Sequence, residues 1–211
     1  MTVLLVILEL VGTVAFTVSG ALLACKKNMD LLGVCVLGLT TACGGGVLRD
    51  VMLGKLPPTM FREPIYALTA LMISLIIFLP NWRGKLLHNH LLYDQVLFGA
   101  DSLGLGIFTV SGVSATMSAG YGDNLFFVVF LGTLTGVGGG VIRDVMAGMP
   151  PYIFVKHIYA CASLAGALLC ALLWECLGAT GAMALGALTV LVIRLLAAHF
   201  RWSLPKSGVV E

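Results

Sequence analysis

Gly44-Gly45-Gly46-Val47-Leu48-Arg49-Asp50-Val51-Met52 recurs as Gly138-Gly139-Gly140-Val141-Ile142-Arg143-Asp144-Val145-Met146. Each copy sets three glycines and then an Arg-Asp pair inside an apolar run. A glycine costs a helix roughly 1 kcal/mol relative to alanine, so three in succession read as an interruption that leaves main-chain carbonyls without covering side chains. At membrane depth, non-helical backbone persists only where protein buries it or a watery cavity meets it. Two interruptions in corresponding places of two halves point to a transport site formed by broken helices.

The duplication extends outward from the glycines. Phe16-Thr17-Val18-Ser19-Gly20 returns as Phe108-Thr109-Val110-Ser111-Gly112, and Pro57-Pro58 as Pro150-Pro151. Phe61 with Ile65-Tyr66-Ala67 returns as Phe154 with Ile158-Tyr159-Ala160. With 59% hydrophobic and 10% charged residues and a mean hydropathy of +1.05, the chain lacks the polar surface of a water-soluble domain and reads as a polytopic membrane protein.

A spanning helix takes about 20 mostly apolar residues. Seven segments qualify: Thr2 to Ala24, Leu31 to Leu53, Pro64 to Leu79, Val96 to Ala119, Leu125 to Ala147, Val155 to Trp174 and Ala179 to Ala198. The first of these begins without a basic leader or a cleavage site, so it reads as a retained span. The fold class expected is an all-α membrane protein with an inverted 3+3 repeat plus one extra helix, the second and fifth spans kinked at the triple glycines. Three spans per repeat is an odd number, which makes the second half enter the membrane from the opposite side. The corresponding division is 1–80 for the first repeat, 81–95 for a polar linker, 96–177 for the second repeat, and 178–211 for the seventh helix and tail.

Lys26, Lys27, Arg83, Lys85, Arg143, Lys156, Arg201 and Lys206 fall on one side of this arrangement, and Arg49, Lys55 and Arg62 on the other. Because Lys and Arg mark the cytoplasmic face, the N-terminus is expected outside and the C-terminus inside. The net charge of +2 is small and dispersed, so no nucleic-acid footprint is present. The six cysteines lack metal-ligand spacing and His88-Asn89-His90 has no third ligand nearby, so no metal or cofactor is expected. No nucleophile-and-base constellation falls at membrane depth, which argues against an enzyme.

Ionisable groups inside the membrane are costly and mark permeation paths. Superposing the Phe-Thr-Val-Ser-Gly segments aligns Glu9 with Asp101. Glu9 and Arg49 approach one membrane face and Asp101 and Arg143 the other, so two charge pairs are expected, Glu9 with Arg49 and Asp101 with Arg143. Adjacent residues do not face one another on a helix. Arg49 and Asp50, or Arg143 and Asp144, should therefore look elsewhere for partners. The candidate path is lined by Gly44, Gly45, Gly46, Gly138, Gly139 and Gly140 through their carbonyls and by the hydroxyls of Ser19 and Ser111, with Thr17 and Thr109 in the same doubled feature and Thr40, Thr41 and Thr135 as weaker candidates. The same glycines also allow close packing, since Gly132, Gly136 and Gly140 form a GxxxG series.

Two Gly-Gly-Gly-x-x-Arg-Asp segments in a 3+3+1 chain of 211 residues resemble the bacterial membrane proteins related to the trimeric intracellular cation channels, a family also described as having paired glycine-transporter domains. The resemblance implies a homotrimer in the bacterial inner membrane, each subunit with its own pore in contact with lipid. It implies a monovalent cation such as potassium as permeant, with glycine or a small amino acid as the alternative cargo. The basic lipid-binding residues of the animal channels have no clear match here. A non-transporting assembly protein is the third class, and it requires intact helices with no continuous polar path.

Overall fold

The computed structural model describes residues 3–80, 84, 88–155 and 158–202, and every regular element among them is helical. The helices are α1 (Val3–Lys26), α2 (Leu31–Met52), α3 (Thr59–Arg62), α4 (Ile65–Phe78) and α5 (His90–Thr116). A π-helical turn, Met117–Tyr121, follows α5. The chain continues through α6 (Leu125–Met146), α7 (Tyr152–Val155), α8 (Ala160–Leu172) and α9 (Trp174–His199). Among the described residues five stretches are long and apolar enough to cross a membrane, while α4 and α8 are shorter apolar helices. Residues 81–83 and 85–87 of the expected linker lie outside the described residues, as do Lys156 and Lys206 from the orientation argument.

Local signals set the helix boundaries. Asp30 and Asn124 cap α2 and α6 by accepting from the backbone N–H of Gly33 at 2.8 Å and Phe127 at 3.1 Å. At the other end, Gly54 and Gly148 adopt positive φ, and the next N–H groups, of Lys55 and Met149, reach back to the carbonyls of Asp50 and Asp144. Those left-handed positions close the helices as Schellman-type ends. The span expected from Val155 to Trp174 instead divides: Ile158 takes a positive φ and α8 begins at Ala160. The seventh helix starts earlier than Ala179 because Trp174 to Leu177 form a turn that bends at Gly178, with φ 68°.

Four helices, α1, α2, α5 and α6, form the centre. Helix α4 lies against α1 and α2, and α8 lies against α5 and α6 in the corresponding place. Helix α9 covers α8 and α5. Leu22, Val34 and Leu37 fill one core region and Val110, Val113 and Val128 another. The outer faces are apolar instead of charged: Leu68, Met72 and Leu75 on α4, and Leu188, Val192 and Leu195 on α9, are exposed. An oily exterior, with charged side chains such as Glu9, Arg49, Asp101 and Arg143 kept inside, suits lipid as the surrounding solvent.

The expectation of open breaks at the glycines is overturned. Residues 44–46 and 138–140 are helical, within α2 and α6 that run without a non-helical residue. Their carbonyls are therefore held in the helical ladder and do not stand bare. The physical reason is the packing of α2 on α6. A Cβ on Gly45 would collide with the carbonyl oxygen of Thr135, and one on Gly139 with that of Thr41. Gly138 faces the Cα of Gly45, while Thr40 lies against Met146, so the two helices cross antiparallel with backbone nearly touching backbone. Close apposition without side chains recovers in packing what the glycines lose in helix propensity.

Candidate functional site

Each end of the α2–α6 crossing carries a buried charge cluster. At one end Arg49 Nη1 lies 3.6 Å from Glu9 Oε1 and its Nε donates to Asp50 Oδ1 at 2.9 Å. Ser111 Oγ donates to Glu9 Oε1 at 2.6 Å and accepts from Arg49 Nη1 at 3.2 Å, while the Tyr66 hydroxyl donates to Glu9 Oε2 at 2.9 Å. At the other end Arg143 Nη1 donates to Asp101 Oδ1 at 2.7 Å and also to Ser19 Oγ. Its Nε donates to Asp144 Oδ1 at 2.8 Å, and Tyr159 donates to Asp101 at 3.3 Å. Each cluster thus draws its serine from the opposite half of the chain.

Arg49 and Asp50 bond one another, as do Arg143 and Asp144, contrary to the expectation from helical geometry. Both pairs sit in the last turn of a helix and are almost completely buried. Burial shields each carboxylate from bulk water, and the long arginine stem lets the guanidinium fold back to its neighbour. The aspartates have a further task. Asp50 Oδ2 accepts from Thr59 N at 2.7 Å and Asp144 Oδ2 from Tyr152 N at 2.8 Å, which ties the start of α3 and of α7 to the preceding helix. The doubled Pro-Pro segments fall just before these two N–H groups. Pro lacks a donor and fixes φ, so it presets the turn that brings the next N–H to the aspartate.

The repeated Phe-Thr-Val-Ser-Gly segments build the partner crossing of α1 and α5. Phe16 packs on Gly104 and Phe108 on Gly12, with the two rings 5.2 Å apart. Thr17, Thr41, Thr109 and Thr135 donate to carbonyls four residues earlier in their own helices. Thr40, less buried, does the same toward Val36 at 2.8 Å. Their hydroxyl protons are therefore committed to the backbone. Of the glycines, Gly45, Gly138 and Gly139 are buried in the seam and Gly140 is buried against Tyr159, whereas Gly44 and Gly46 are partly exposed.

The two clusters differ in what lies beside them. A small cavity of about 40 Å³ adjoins Glu9, Thr13, Asp50, Thr59 and Tyr66. A larger vestibule of about 600 Å³ reaches Asp101 and Arg194, with Lys26, Lys27, Tyr93 and Asp94 on its walls. From Arg49 to the level of Arg143 is roughly 12 Å along the axis, given about eight residues at 1.5 Å each.

The sequence profile of the family described as glycine transporter matches residues 6–81 and 98–175. A UPF0126 membrane protein of Deinococcus radiodurans is 41% identical over 89% of this chain and 84% of its own length. The Escherichia coli inner membrane protein YadS is 34% identical over 97% of this chain and 96% of its own. Among solved structures, one of TRIC cation channels studied for conductance superposes with a TM-score of 0.85 at 35% identity over the whole of both chains. A prokaryotic TRIC channel crystallised in 0.5 M KCl gives 0.87 at 30% identity, covering 97% of this chain and 100% of that one. The chain belongs to this family, that of the bacterial TRIC proteins. The trimeric intracellular cation channel orthologue of Rhodobacter sphaeroides is a further relative, with a TM-score of 0.84 at 29% identity, covering 94% and 99%.

One residue of this TRIC-family site went unnoticed in the sequence. Arg194, from α9, reaches into the second cluster: Nη2 lies 3.6 Å from Asp101 Oδ2 and Nε donates to Ser102 Oγ at 3.2 Å. Its guanidinium stacks on Phe98 at 4.9 Å and Tyr159 at 4.8 Å. The signal was available, since Arg194 is the single charged residue of the segment Ala179 to Ala198. Tyr66 and Tyr159 were legible as repeat landmarks, but nothing in the repeat said that their hydroxyls meet the carboxylates.

Proposed function

We propose that this chain is a monovalent cation channel of the bacterial inner membrane, with a path that runs inside each subunit from the Glu9–Arg49 cluster, past the glycine seam, to the Asp101–Arg143 cluster and its vestibule. The observation that carries this reading is the pair of buried Arg–carboxylate clusters, each assembled from both halves and each adjoining a cavity. Buried ion pairs of this kind cost more than apolar packing of equal volume, so their presence at both ends of one crossing favours a role in moving charge. The fold similarity to TRIC cation channels supports it.

In this reading α4 and α8 join the five long helices as spans, making an inverted 3+3 repeat with α9 added. The chain divides at 1–80, 81–95, 96–177 and 178–211, with its N-terminus outside. Ser19, Ser111, Glu9 and Asp101 meet the ion, Arg49 and Arg143 set the field, and Asp50 and Asp144 hold the arginines. The seam between Gly45 and Gly139 is the closed point of the path. Because no side chains interlock there, a small separation of α2 from α6 admits an ion. A homotrimer is inferred from the trimeric relative.

The test is planar-bilayer recording from the purified protein. Currents that reverse at the potassium equilibrium potential support a cation pore. A second reading, carriage of glycine, is favoured by the description of the matching family. Saturable glycine uptake into proteoliposomes without potassium current would replace the first reading by the second.

A further inference from the structure

The two clusters are not equal in charge. Among the described residues Glu9 has one cation within ion-pair range, Arg49, whereas Asp101 has two, Arg143 and Arg194. With the neighbouring aspartates included, Glu9, Asp50 and Arg49 sum to −1, while Asp101, Asp144, Arg143 and Arg194 sum to zero. The extra positive charge comes from α9, the one helix without a counterpart in the repeat.

Arg194 holds Asp101 loosely. The 3.6 Å separation is outside hydrogen-bond range, and Asp101 Oδ2 is a fully buried carboxylate oxygen that receives no hydrogen bond. The firmer anchor of Arg194 is its Nε bond to Ser102 together with the two stacked rings. Asp101 and Arg194 both line the vestibule, and a second buried group on its wall, the Tyr93 hydroxyl, is likewise without a hydrogen-bond partner. An ionised oxygen left open in a low-dielectric site attracts whatever cation can reach it.

We propose that Arg194 is a tethered cation that competes with the permeant monovalent cation for Asp101 Oδ2, and so sets ion affinity at the vestibule end of the path. An ion arriving from the vestibule binds Asp101 as the guanidinium swings away about its Ser102 anchor, and the return of Arg194 releases the ion toward the seam. The first cluster has Arg49 alone beside Glu9, whose two oxygens both receive hydrogen bonds, so it has no second arginine to exchange with an ion. This proposal rests on the cation-path reading above.

Equilibrium binding of ⁸⁶Rb⁺ to the purified full-length protein in detergent measures the competition directly, and potassium current in planar bilayers measures its consequence. Arg194→Gln keeps a donor for Ser102 and most of the side-chain volume but removes a unit charge within about 4 Å of the carboxylate, so Rb⁺ affinity should rise about tenfold or more. Half-saturation of the current from the vestibule side should fall to match. Arg194→Lys should resemble the wild type, and Arg194→Gln combined with Asp101→Asn should lose the gain. Rb⁺ binding unchanged in Arg194→Gln overturns the proposal. If that variant does not assemble, Arg194→Met removes the charge while keeping a stem against Phe98 and Tyr159, and tighter Rb⁺ binding supports the proposal while unchanged or weaker binding overturns it. Absence of potassium current in the wild type and in every variant defeats the cation path, and the proposal with it, whereas a conducting wild type whose Arg194→Gln form is identical to it defeats the tethered cation alone.

Discussion

Replacing Gly45 by alanine separates two accounts of the glycine triplets. If the triplet is a loosened segment, alanine at any of its positions stabilises α2 by about 1 kcal/mol through helix propensity. The structure distinguishes the positions. A Cβ at Gly45 meets the carbonyl oxygen and carbon of Thr135, which are backbone atoms of a packed helix and cannot rotate aside. Overpacking of that kind costs about 1–3 kcal/mol, so after the propensity gain the net loss at Gly45 is up to about 2 kcal/mol. At Gly46 the nearest atom to a new Cβ is Arg49 Nη2 at 3.9 Å, an ordinary contact. Gly46→Ala should therefore be neutral or stabilised by up to about 1 kcal/mol. Gly139→Ala should resemble Gly45→Ala, because its Cβ meets the Thr41 carbonyl. The double replacement should cost less than the sum, since both act on one gap and relief of the first strain serves the second. The assay is the denaturant midpoint of helical circular dichroism in detergent, measured for all four variants. Equal effects at Gly45 and Gly46, or a Gly45→Ala protein more stable than the wild type, would refute the close-packed seam.

Three further outcomes are expected. Asp101→Asn leaves Arg143 and Arg194 facing a neutral amide and should destabilise by about 3–5 kcal/mol in the same denaturation assay; Glu9→Gln, with one arginine that keeps Asp50, should cost less. Tyr66→Phe removes the donor to Glu9 Oε2 at 2.9 Å and should cost about 1.5–3 kcal/mol, with a smaller loss for Tyr159→Phe, whose bond is 3.3 Å. Gly54→Ala and Gly148→Ala each place a side chain at positive φ in open space, so the loss should be about 1–2 kcal/mol from backbone alone. Equal midpoints for wild type and both of these variants would show that the helix ends do not need the left-handed residue.

Much of the candidate site was legible because it is doubled. The alignment of Glu9 with Asp101 paired each carboxylate with an arginine at the same membrane depth, and the structure places Glu9 by Arg49 and Asp101 by Arg143. Illegible were the contacts made by rotation and reach. Arg49 and Arg143 fold back onto Asp50 and Asp144 because burial removes the competing water, a condition that spacing along a helix does not encode. Arg194 lies outside the repeat and so had no partner to reveal it.

By itself the amino-acid order determined the membrane class, since so apolar a chain cannot solvate a globular surface, and it determined the duplication and the residue types that carry charge within it. Only the tertiary structure decided what the glycines do. Helix propensity is a local quantity and reads three glycines as a weakness. Whether a weak segment opens or is pressed shut depends on the neighbour it meets, and here each glycine run meets the other run, arriving from the opposite half of the chain.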